Sequence, residues 1–288
     1  MIHRVARLFD KVQNDAEVAK WIRVFSRTDR NFAVIKISGA SLFQYPNEIC
    51  EDLAILSKLD LHVPVVYGWG NALTKKLELA GQKTLMHHTG VRVTRKSDLI
   101  FMEEVAHEHG MMIVEGLNER GIPAEIALDI FSAERKPLDG IDFEHFTGEI
   151  KNVNTDKLKE YLCKGIIPVI PPIGKNEAGQ IFNINADTAA KAIVLDLIPQ
   201  KYILLTNTRG VLDKSGELIS QISISADYLN LVEQGIINEG MKLKIDEAKE
   251  IIEGMAHLEE DIAVQIANPE NILSELFTDG GKGTFVKK

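Results

Sequence analysis

Apolar strands alternate with helical segments along most of this chain, and this alternation constrains the fold more than any other feature. The strand-like runs are rich in valine and isoleucine and carry few polar residues. We predict strands at 32–38, 63–67, 124–130, 165–170, 201–206 and 261–267, and helices at 48–59, 71–80, 96–120, 187–197 and 239–253. Continuous apolar strands of this kind are buried on both faces. The sequence therefore predicts an α/β fold, a three-layer α/β/α sandwich around a mainly parallel sheet.

Glycines follow the predicted strands, at Gly39, Gly68, Gly70, Gly174 and Gly210. Ligands of parallel sheets bind at the carboxyl ends of the strands, and a glycine there lets backbone N–H groups approach a ligand closely. Two nucleotide-binding signatures are missing, the G-x-x-x-x-G-K-[ST] loop and the G-x-G-x-x-G turn after a strand. The sequence thus argues against a P-loop NTPase and a dinucleotide-dependent oxidoreductase.

The composition argues against several classes of partner. The chain has 288 residues, with 33 Lys and Arg against 42 Asp and Glu, and a formal net charge of −9. A net acidic surface disfavours nucleic acid and anionic membranes. No run approaches the roughly 18 apolar residues that a membrane-spanning helix needs. The only two cysteines, Cys50 and Cys163, have no ligand-like spacing, which is typical of a cytoplasmic protein.

Residues 1–30 are predicted to form an N-terminal helical appendage, with an amphipathic helix at 15–26. Trp21 and Phe25 lie on its apolar face. Two interpretations stay open for these aromatic side chains. The helix either packs on its own domain or contributes a contact between subunits.

Six segments resemble, in order and spacing, the motifs of the amino acid kinase family, and in particular those of N-acetylglutamate kinases. They are 36–42 (KISGASL), 66–70 (VYGWG), 90–94 (GVRVT), 183–190 (NINADTAA), 205–213 (LTNTRGVLD) and 239–244 (EGMKLK). The N-terminal helix and the segment after residue 275 are most similar to the kinase domain of bifunctional N-acetylglutamate synthase/kinases. In those proteins an acetyltransferase domain follows.

The resemblance implies an amino acid kinase fold of the carbamate kinase-like type, with two lobes that bind different ligands. An N-lobe at 31–175 would bind the amino-acid substrate, and a C-lobe at 176–288 would bind ATP. The implied reaction transfers the γ-phosphoryl group of ATP to the side-chain carboxylate of N-acetyl-L-glutamate, giving N-acetyl-L-glutamyl 5-phosphate in arginine biosynthesis. Mg²⁺ would arrive with ATP, because this ion is usually held through phosphates and waters.

The resemblance also assigns roles to the residues that match the motifs. The implied catalytic residues are Lys36, Asp187 and Lys244. The implied substrate-binding residues are Gly68, Trp69, Gly70, Arg92, Asn183 and Asn185, with Arg92 holding the α-carboxylate. The implied nucleotide-binding residues are Lys36, Gly39, Thr206, Asn207, Gly210 and Lys244. The backbone N–H groups of Gly39 and Gly68 would bind phosphate, and no protein side chain is implied as a metal ligand.

These residue types suit the implied chemistry. The acceptor carboxylate, with a pKa near ~4.3, is already ionised at neutral pH, so it needs no general base. The barrier lies in bringing anions together, which calls for fixed cations and N–H donors. Structural roles are also open: Lys36 could extend from a strand end, Asp187 could begin a helix, and Lys244 could lie on a solvated face.

The chain departs from the family pattern at four positions. Ser38 stands where a glycine is usual, and a positive φ there would cost about 1–2 kcal/mol. Trp69 replaces a small residue, so its indole must either point away from the phosphates or form a wall of the substrate pocket. Asn207 and Glu239 replace an aspartate and a glycine. None of these changes removes the implied catalytic residues.

Two other functions stay open, namely a catalytically weak arginine-sensing or assembly module of an N-acetylglutamate synthase, and a kinase for another amino-acid carboxylate. The resemblance further implies feedback by arginine through the N-terminal helix and residues 268–283. It also implies a homo-oligomer and an acetyltransferase domain or subunit as partner. His87 and His88 are adjacent, so on a helix or strand they would not share a face, and the sequence predicts no metal pair there.

Overall fold

The computed structural model describes residues 8–25, 31–237, 239–256 and 262–288, and within them it has the predicted α/β architecture. The strands are β1 (Ala33–Ile37), β2 (Val65–Tyr67), β3 (Leu85–Met86), β4 (Arg92–Val93), β5 (Ala124–Ile126), β6 (Phe131–Arg135), β7 (Gly148–Val153), β8 (Ile167–Ile170), β9 (Ile173–Lys175), β10 (Ile181–Asn183), β11 (Lys201–Leu205), β12 (Gln221–Ser223), β13 (Ala263–Ala267) and β14 (Thr284–Lys287). The helices are α1 (Asp15–Phe25), α2 (Gly39–Gln44), α3 (Pro46–Lys58), α4 (Gly70–Leu79), α5 (Leu99–Asn118), α6 (Thr155–Cys163), α7 (Ala186–Leu197), α8 (Tyr228–Glu233), α9 (Glu239–Gly254) and α10 (Ile272–Phe277).

Eight strands form the main sheet in the order β12-β14-β13-β11-β1-β2-β8-β5. All neighbours in it are parallel except β13 and β14. This confirms the predicted mainly parallel sheet. Strand β1 lies near its centre, and Lys36 is paired in register with Leu204 of β11 and Val66 of β2.

A four-stranded sheet, β10-β9-β6-β7, and the hairpin β3–β4 lie beside the main sheet. Neither was predicted, because their strands are short or half-exposed and mix polar with apolar residues. Strand β5 ends at Ile126, four residues before its predicted end, and the following residues lead into the smaller sheet. The predicted ends at residues 26 and 261 lie outside the described residues.

The two faces of the main sheet bury separate hydrophobic cores. Along β1 the side chains alternate, as the period of a strand requires. Ile35 and Ile37 pack with α3, α4 and α5 on one face. Val34 packs on the opposite face, which α7 and α9 cover, and Lys36 also points there because it is two residues further on. The alternation thus directs one lysine toward α7.

Helix α1 packs on the same chain. The ring of Phe25 lies 4.2 Å from that of Phe32 and 5.7 Å from that of Phe277, measured between centroids. Trp21 donates a hydrogen bond of 3.0 Å to Asp279. Packing on its own domain therefore accounts for both aromatic side chains of α1. Among the described helices, none combines the length and apolarity needed to cross a bilayer.

Candidate active site

Two turns meet where β1 and β2 end. Gly39 opens α2, and a Cβ placed on it would lie 2.7 Å from the carbonyl oxygen of Gly68, so the close approach requires a glycine. The N–H of Gly68 donates to the carbonyl of Ile37 at 2.9 Å. The prediction that this N–H is available to a phosphate is therefore wrong in this conformation. Gly68 instead borders a cavity.

Asp187 lies between two lysine side chains from different elements. Its Oδ1 lies 2.6 Å from Nζ of Lys36, and its Oδ2 lies 3.1 Å from Nζ of Lys244. Lys36 comes from the central strand β1, Asp187 from the first turn of α7 and Lys244 from α9. Lys36 and Asp187 are buried, whereas 18% of the Lys244 side chain is exposed. The structure thus joins the three implied catalytic residues.

The pKa values follow from this burial and pairing. Burial and the neighbouring Lys244 ammonium lower the pKa of Lys36, Asp187 opposes the shift, and the resulting pKa is about 8. Burial alone would raise the pKa of Asp187, but the two ammonium groups outweigh it and hold the pKa at about 2. Asp187 is therefore an anion at any physiological pH and not a proton acceptor.

Glu247 fixes the helix that carries Lys244. This buried carboxylate accepts a hydrogen bond of 2.9 Å from Thr188 Oγ1 and lies 2.6 Å from Nζ of Lys191, both on α7. It follows Lys244 by three residues on α9, so it ties the same face of α9 to α7. The sequence gives no sign of this role for Glu247, because acidic residues on a helix are usually exposed, and a solvated face was one of the open roles for the helix face of Lys244.

A cavity of about 280 Å³ opens above the buried carboxylate. Its walls include Lys36, Gly39, Gly68, Trp69, Gly70, Met86, Arg92, Asn183, Asn185 and Asp187. Arg92 reaches it from β4. Its guanidinium donates to the carbonyl of Gly70 and to the hydroxyls of Thr74 and Thr84, at 2.8 to 3.0 Å. In the described part of the chain these acceptors are neutral, and no carboxylate pairs with Arg92. The cavity therefore carries a cationic group suited to an anionic ligand.

The comparison with known families agrees with this geometry. Residues 31–268 match the amino acid kinase family. The chain belongs to the amino acid kinase family. The predicted family and fold are thereby confirmed.

Individual relatives carry more specific names. A protein of Xanthomonas campestris pv. campestris named acetylglutamate kinase is 35% identical over 275 residues, covering 94% of this chain and 63% of that protein. One of the same name from Campylobacter hominis is 36% identical over 260 residues, covering 88% of this chain and 90% of that protein. The crystal structure of N-acetylglutamate synthase from Neisseria gonorrhoeae, complexed with coenzyme A and L-arginine, superposes with a TM-score of 0.82 at 25% identity, covering 96% of this chain and 65% of that one. This chain thus spans less than two thirds of the Xanthomonas and Neisseria proteins.

The two predicted substrate-binding asparagines have different surroundings in this member of the amino acid kinase family. Asn183 is buried and donates from Nδ2 to the hydroxyl of Thr94 at 2.8 Å. Asn185 is the N-cap of α7, because its Oδ1 accepts from the N–H groups of Asp187 and Thr188 at 2.8 and 3.1 Å. Both border the cavity, but Asn185 also fixes the helix start that presents Asp187.

Two departures from the pattern of the amino acid kinase family are accommodated. Ser38 has φ −72° and ψ 148°, so the anticipated strain is absent. Its Oγ accepts from the N–H of Ser41 at 3.1 Å and caps α2. Trp69 is 4% exposed, and its ring packs at 5.7 Å from that of Tyr67, edge to face. It lines the cavity while most of its indole joins the hydrophobic core.

The predicted nucleotide-binding residues after β11 lie outside the cavity lining. Thr206 is buried, and its hydroxyl contacts the carbonyl of Thr208 at 3.1 Å. Asn207 is exposed. At Gly210, where φ is +155°, a Cβ would lie 2.6 Å from Thr284 Oγ1, so packing explains that glycine. These residues share the carboxyl edge of the sheet with Lys36, since β11 is paired with β1.

His87 and His88 lie together, contrary to the expectation from their adjacency. They belong to the turn between β3 and β4 and not to a helix or a strand. A turn does not impose the alternation of a strand, and the two ring centroids are 4.0 Å apart. The carboxylate of Asp139 lies beside both rings.

Proposed function

We propose that this chain is an ATP-dependent N-acetyl-L-glutamate kinase that forms N-acetyl-L-glutamyl 5-phosphate in arginine biosynthesis. The observation that carries the proposal is the Lys36–Asp187–Lys244 cluster, in which the buried Lys36 and Asp187 line a cavity bordered by Arg92 and Lys244 contacts Asp187 from α9. Fixed cations at a site of developing phosphoryl charge are what transfer to an already ionised carboxylate requires. The relatives named acetylglutamate kinase support the choice of acceptor.

In this proposal each charged residue has a distinct task. Lys36 neutralises charge on the transferring phosphoryl group, and Lys244 neutralises charge at the leaving oxygen. Asp187 orients both ammonium groups, because each of its oxygens faces one of them. We assign the acceptor mainly to residues 31–175 and the nucleotide to residues 176–288. The cavity crosses this boundary, since residues 183–187 form part of its wall.

ATP and Mg²⁺ would interact in different ways with the two lysines, the turn at Gly39 and Asp187. The ammonium groups and the turn at Gly39 suit phosphate oxygens. Asp187 is the only acid among the described residues that line the cavity, and both of its oxygens contact ammonium groups. We therefore propose that Mg²⁺ is held by the phosphates and by water and not by a protein carboxylate.

An assay of ADP release across N-acetyl-L-glutamate, L-glutamate, L-aspartate and carbamate tests the proposed function. We expect turnover with the acetylated acceptor and little with the others. Turnover confined to another acceptor would favour a kinase for that carboxylate. No turnover with any of them would favour an arginine-sensing or assembly module and overturn the proposal.

Arg92 is expected to set the KM of the acceptor. Its guanidinium matches a carboxylate bidentately, which a lysine ammonium does not. Arg92→Lys should raise the KM for N-acetyl-L-glutamate by about tenfold or more, with a smaller effect on the KM for ATP. Steady-state kinetics would measure both constants. Arg135→Ala, an exposed arginine that faces Glu144 outside the cavity, is the control and should leave both constants unchanged. Equal KM values for wild type and Arg92→Lys would contradict the assignment.

The rate should fall at alkaline pH, because Lys36 must be protonated to neutralise phosphoryl charge. The pKa of Lys36 is lowered to about 8 in the free protein, so kcat/KM for ATP should decline above that pH. The corresponding decline in kcat should lie at higher pH, since a bound phosphate favours the ammonium form. Rates measured from about pH 6 to about pH 10 would show both the decline in kcat/KM and the decline in kcat. A kcat/KM that stays flat to about pH 10 would contradict a titrating Lys36.

We also propose that arginine regulates the enzyme through α1 and residues 268–283. These segments contact each other. The carboxylate of Asp279 lies 2.7 Å from Nζ of Lys20, and the backbone N–H of Asp279 donates to Glu17 Oε2 at 2.9 Å. The structure of the Neisseria relative was determined with L-arginine.

A buried carboxylate beside this contact supplies the binding chemistry. Glu275 Oε1 accepts from the N–H groups of Lys282 and Gly283 at 2.7 and 3.0 Å. Its Oε2 is buried, and among the described residues it has no hydrogen-bond donor. Both polar atoms of the Gln265 side chain are likewise buried, with no hydrogen-bond partner among the described residues. Burial raises the pKa of Glu275 to about 7, although those two N–H groups and the charges of Lys201 and Lys282 lower it. A guanidinium would pair with such a carboxylate.

Glu275→Gln should raise the arginine concentration that gives half-inhibition by about tenfold or more, because a neutral amide loses the ion pair with a guanidinium. The measurement is an inhibition curve for ADP release with N-acetyl-L-glutamate. Glu270→Gln, an exposed acid of the same segment, is the matched control. Inhibition curves that coincide for the two variants would argue against Glu275 as the site.

The remaining partners of the proposed enzyme follow the family resemblance. We propose a homo-oligomer and an association with an acetyltransferase domain or subunit, which the likeness to an N-acetylglutamate synthase supports. We place the protein in the cytoplasm, where its free cysteines Cys50 and Cys163 would stay reduced.

A further inference from the structure

The tip of the hairpin β3–β4 carries a cluster of side chains that the proposed phosphoryl transfer does not use. The turn is closed by hydrogen bonds from the N–H of His87 to the carbonyl of Val91 and from the N–H of Gly90 to the carbonyl of His87, at 2.8 and 2.9 Å. It brings the rings of His87 and His88 side by side. Asp139, from the loop between β6 and β7, faces both rings.

The distances within this cluster match those of a metal site. Nε2 of His87 lies 3.3 Å from Asp139 Oδ1, and Nε2 of His88 lies 4.0 Å from Asp139 Oδ2. One potential ligand atom from each residue lies within 4.8 Å of the other two. Two ligands about 2.1 Å from a tetrahedral zinc ion lie about 3.4 Å apart. His88 therefore needs only a small movement to join the other two ligands around one ion.

The surroundings of His87 orient its ring for such a ligand. The ring is buried, and its Nδ1 lies 2.7 Å from the hydroxyl of Thr89. That hydroxyl can donate or accept, so the contact persists in either neutral tautomer. Nε2 faces Asp139, 3.0 Å from its carbonyl oxygen and 3.3 Å from Oδ1, so it exchanges the contact with the carbonyl for the ion when it becomes a ligand. A hydrogen bond that fixes the second ring nitrogen is a regular feature of histidine metal ligands.

We propose that His87, His88 and Asp139 bind a divalent transition metal ion of the zinc type. Two imidazoles and one carboxylate suit zinc and its neighbours in the first transition row, whereas Mg²⁺ prefers oxygen ligands. Solvent completes the coordination, because His88 and Asp139 are exposed. Any proton on Nε2 of a ligating histidine passes to solvent when the ion binds.

The ion cross-links the hairpin to the loop between β6 and β7. His87 and His88 belong to the hairpin, whereas Asp139 belongs to a loop whose end is also anchored to β4, through Thr147 Oγ1 and the carbonyl of Arg92 at 3.0 Å. Met86 and Arg92 are paired across the hairpin and both line the cavity. Metal binding thus restrains one wall of the cavity. An effect on the acceptor KM would rest on the proposed function, but metal binding and hairpin restraint do not.

The binding test uses the protein without a histidine tag. Co²⁺ serves as a spectroscopic probe, with Zn²⁺ as the competitor and Mg²⁺ as the negative control. We expect one Co²⁺ per chain, displaced by Zn²⁺ and not by Mg²⁺. His88→Ala and Asp139→Asn should each weaken binding by about tenfold or more. His107→Ala removes an exposed histidine of α5 and should bind like the wild type.

Hydrogen exchange tests the cross-link independently of activity. Zn²⁺ should slow amide exchange in peptides covering 85–93 and 136–147 of the wild type and leave those of His88→Ala unchanged. No metal binding by the wild type would show that the cluster is only an imidazole–carboxylate contact, and would overturn the proposal. Equal binding by all variants would place the ion elsewhere and overturn it too. Binding without slower exchange would refute the cross-link.

Discussion

Replacing Lys244 by alanine is expected to lower kcat by about 10²- to 10³-fold, the usual effect of removing one preorganised group that faces transition-state charge. The Nζ of Lys244 lies 3.1 Å from Asp187 Oδ2 and remains partly exposed, so it is accessible from the proposed nucleotide side. The KM for N-acetyl-L-glutamate should change much less, because Arg92 and not Lys244 is the residue that we propose to hold the acceptor. Steady-state kinetics of ADP release would measure both constants.

Lys242→Ala provides the matched control for this variant. Lys242 lies on the same helix two residues earlier, about half of its side chain is exposed, and it pairs with Asp246 at 2.6 Å. An exposed pair of this kind contributes little to stability. We expect Lys242→Ala to retain the wild-type kcat. A similar loss of kcat in both variants would mean that helix α9 matters only as a whole, and the role given to Lys244 would be wrong.

Asp187→Ala is expected to abolish measurable turnover and to destabilise the protein by about 3–5 kcal/mol. Without the carboxylate, the buried Lys36 loses its partner and faces Lys244 directly. Removing one partner of a buried pair is costly because the other charge stays buried. Urea unfolding, followed at neutral pH, would give the change in the free energy of unfolding.

Two further variants separate this cause from a general loss of helix α7. Asp196→Ala removes an exposed acid from the last turn of the same helix and should change the free energy of unfolding by less than about 1 kcal/mol. The double variant Asp187→Ala, Lys36→Met should be more stable than Asp187→Ala alone, since the unpaired buried charge is gone. It should remain inactive. A single variant as stable as the wild type would contradict the electrostatic account.

The central sheet and the proximity of Lys36, Asp187 and Lys244 could be predicted from the sequence. The runs around Lys36 and Tyr202 are almost entirely apolar, so they predict buried parallel strands regardless of tertiary detail. The order of the motifs then placed Lys36, Asp187 and Lys244 together, and the distances between their charged atoms agree. Ser38 was harder to interpret, because its effect depends on a φ angle that the sequence does not state.

The smaller sheet and the supporting contacts depend on tertiary structure. Strand β7, with the sequence GEIKNV, shows no clean alternation because it is only half-buried. Glu247 is a charged residue on a helix, and only the approach of α7 makes it a buried partner of Thr188. The cluster of His87, His88 and Asp139 unites residues about 50 positions apart through a turn and a loop, neither of which has a periodic signal.

Hydroxylamine trapping of the acyl phosphate would show whether the chain transfers phosphate to a carboxylate. The protein would be incubated with ATP, Mg²⁺, N-acetyl-L-glutamate and hydroxylamine, and both ADP and the acyl hydroxamate would be measured. We expect one hydroxamate for each ADP with the wild type, and neither product with a variant that lacks both Lys36 and Lys244. ADP without hydroxamate, or hydroxamate formed at the wild-type rate by the double variant, would contradict transfer of phosphate to a carboxylate by this lysine–aspartate–lysine cluster.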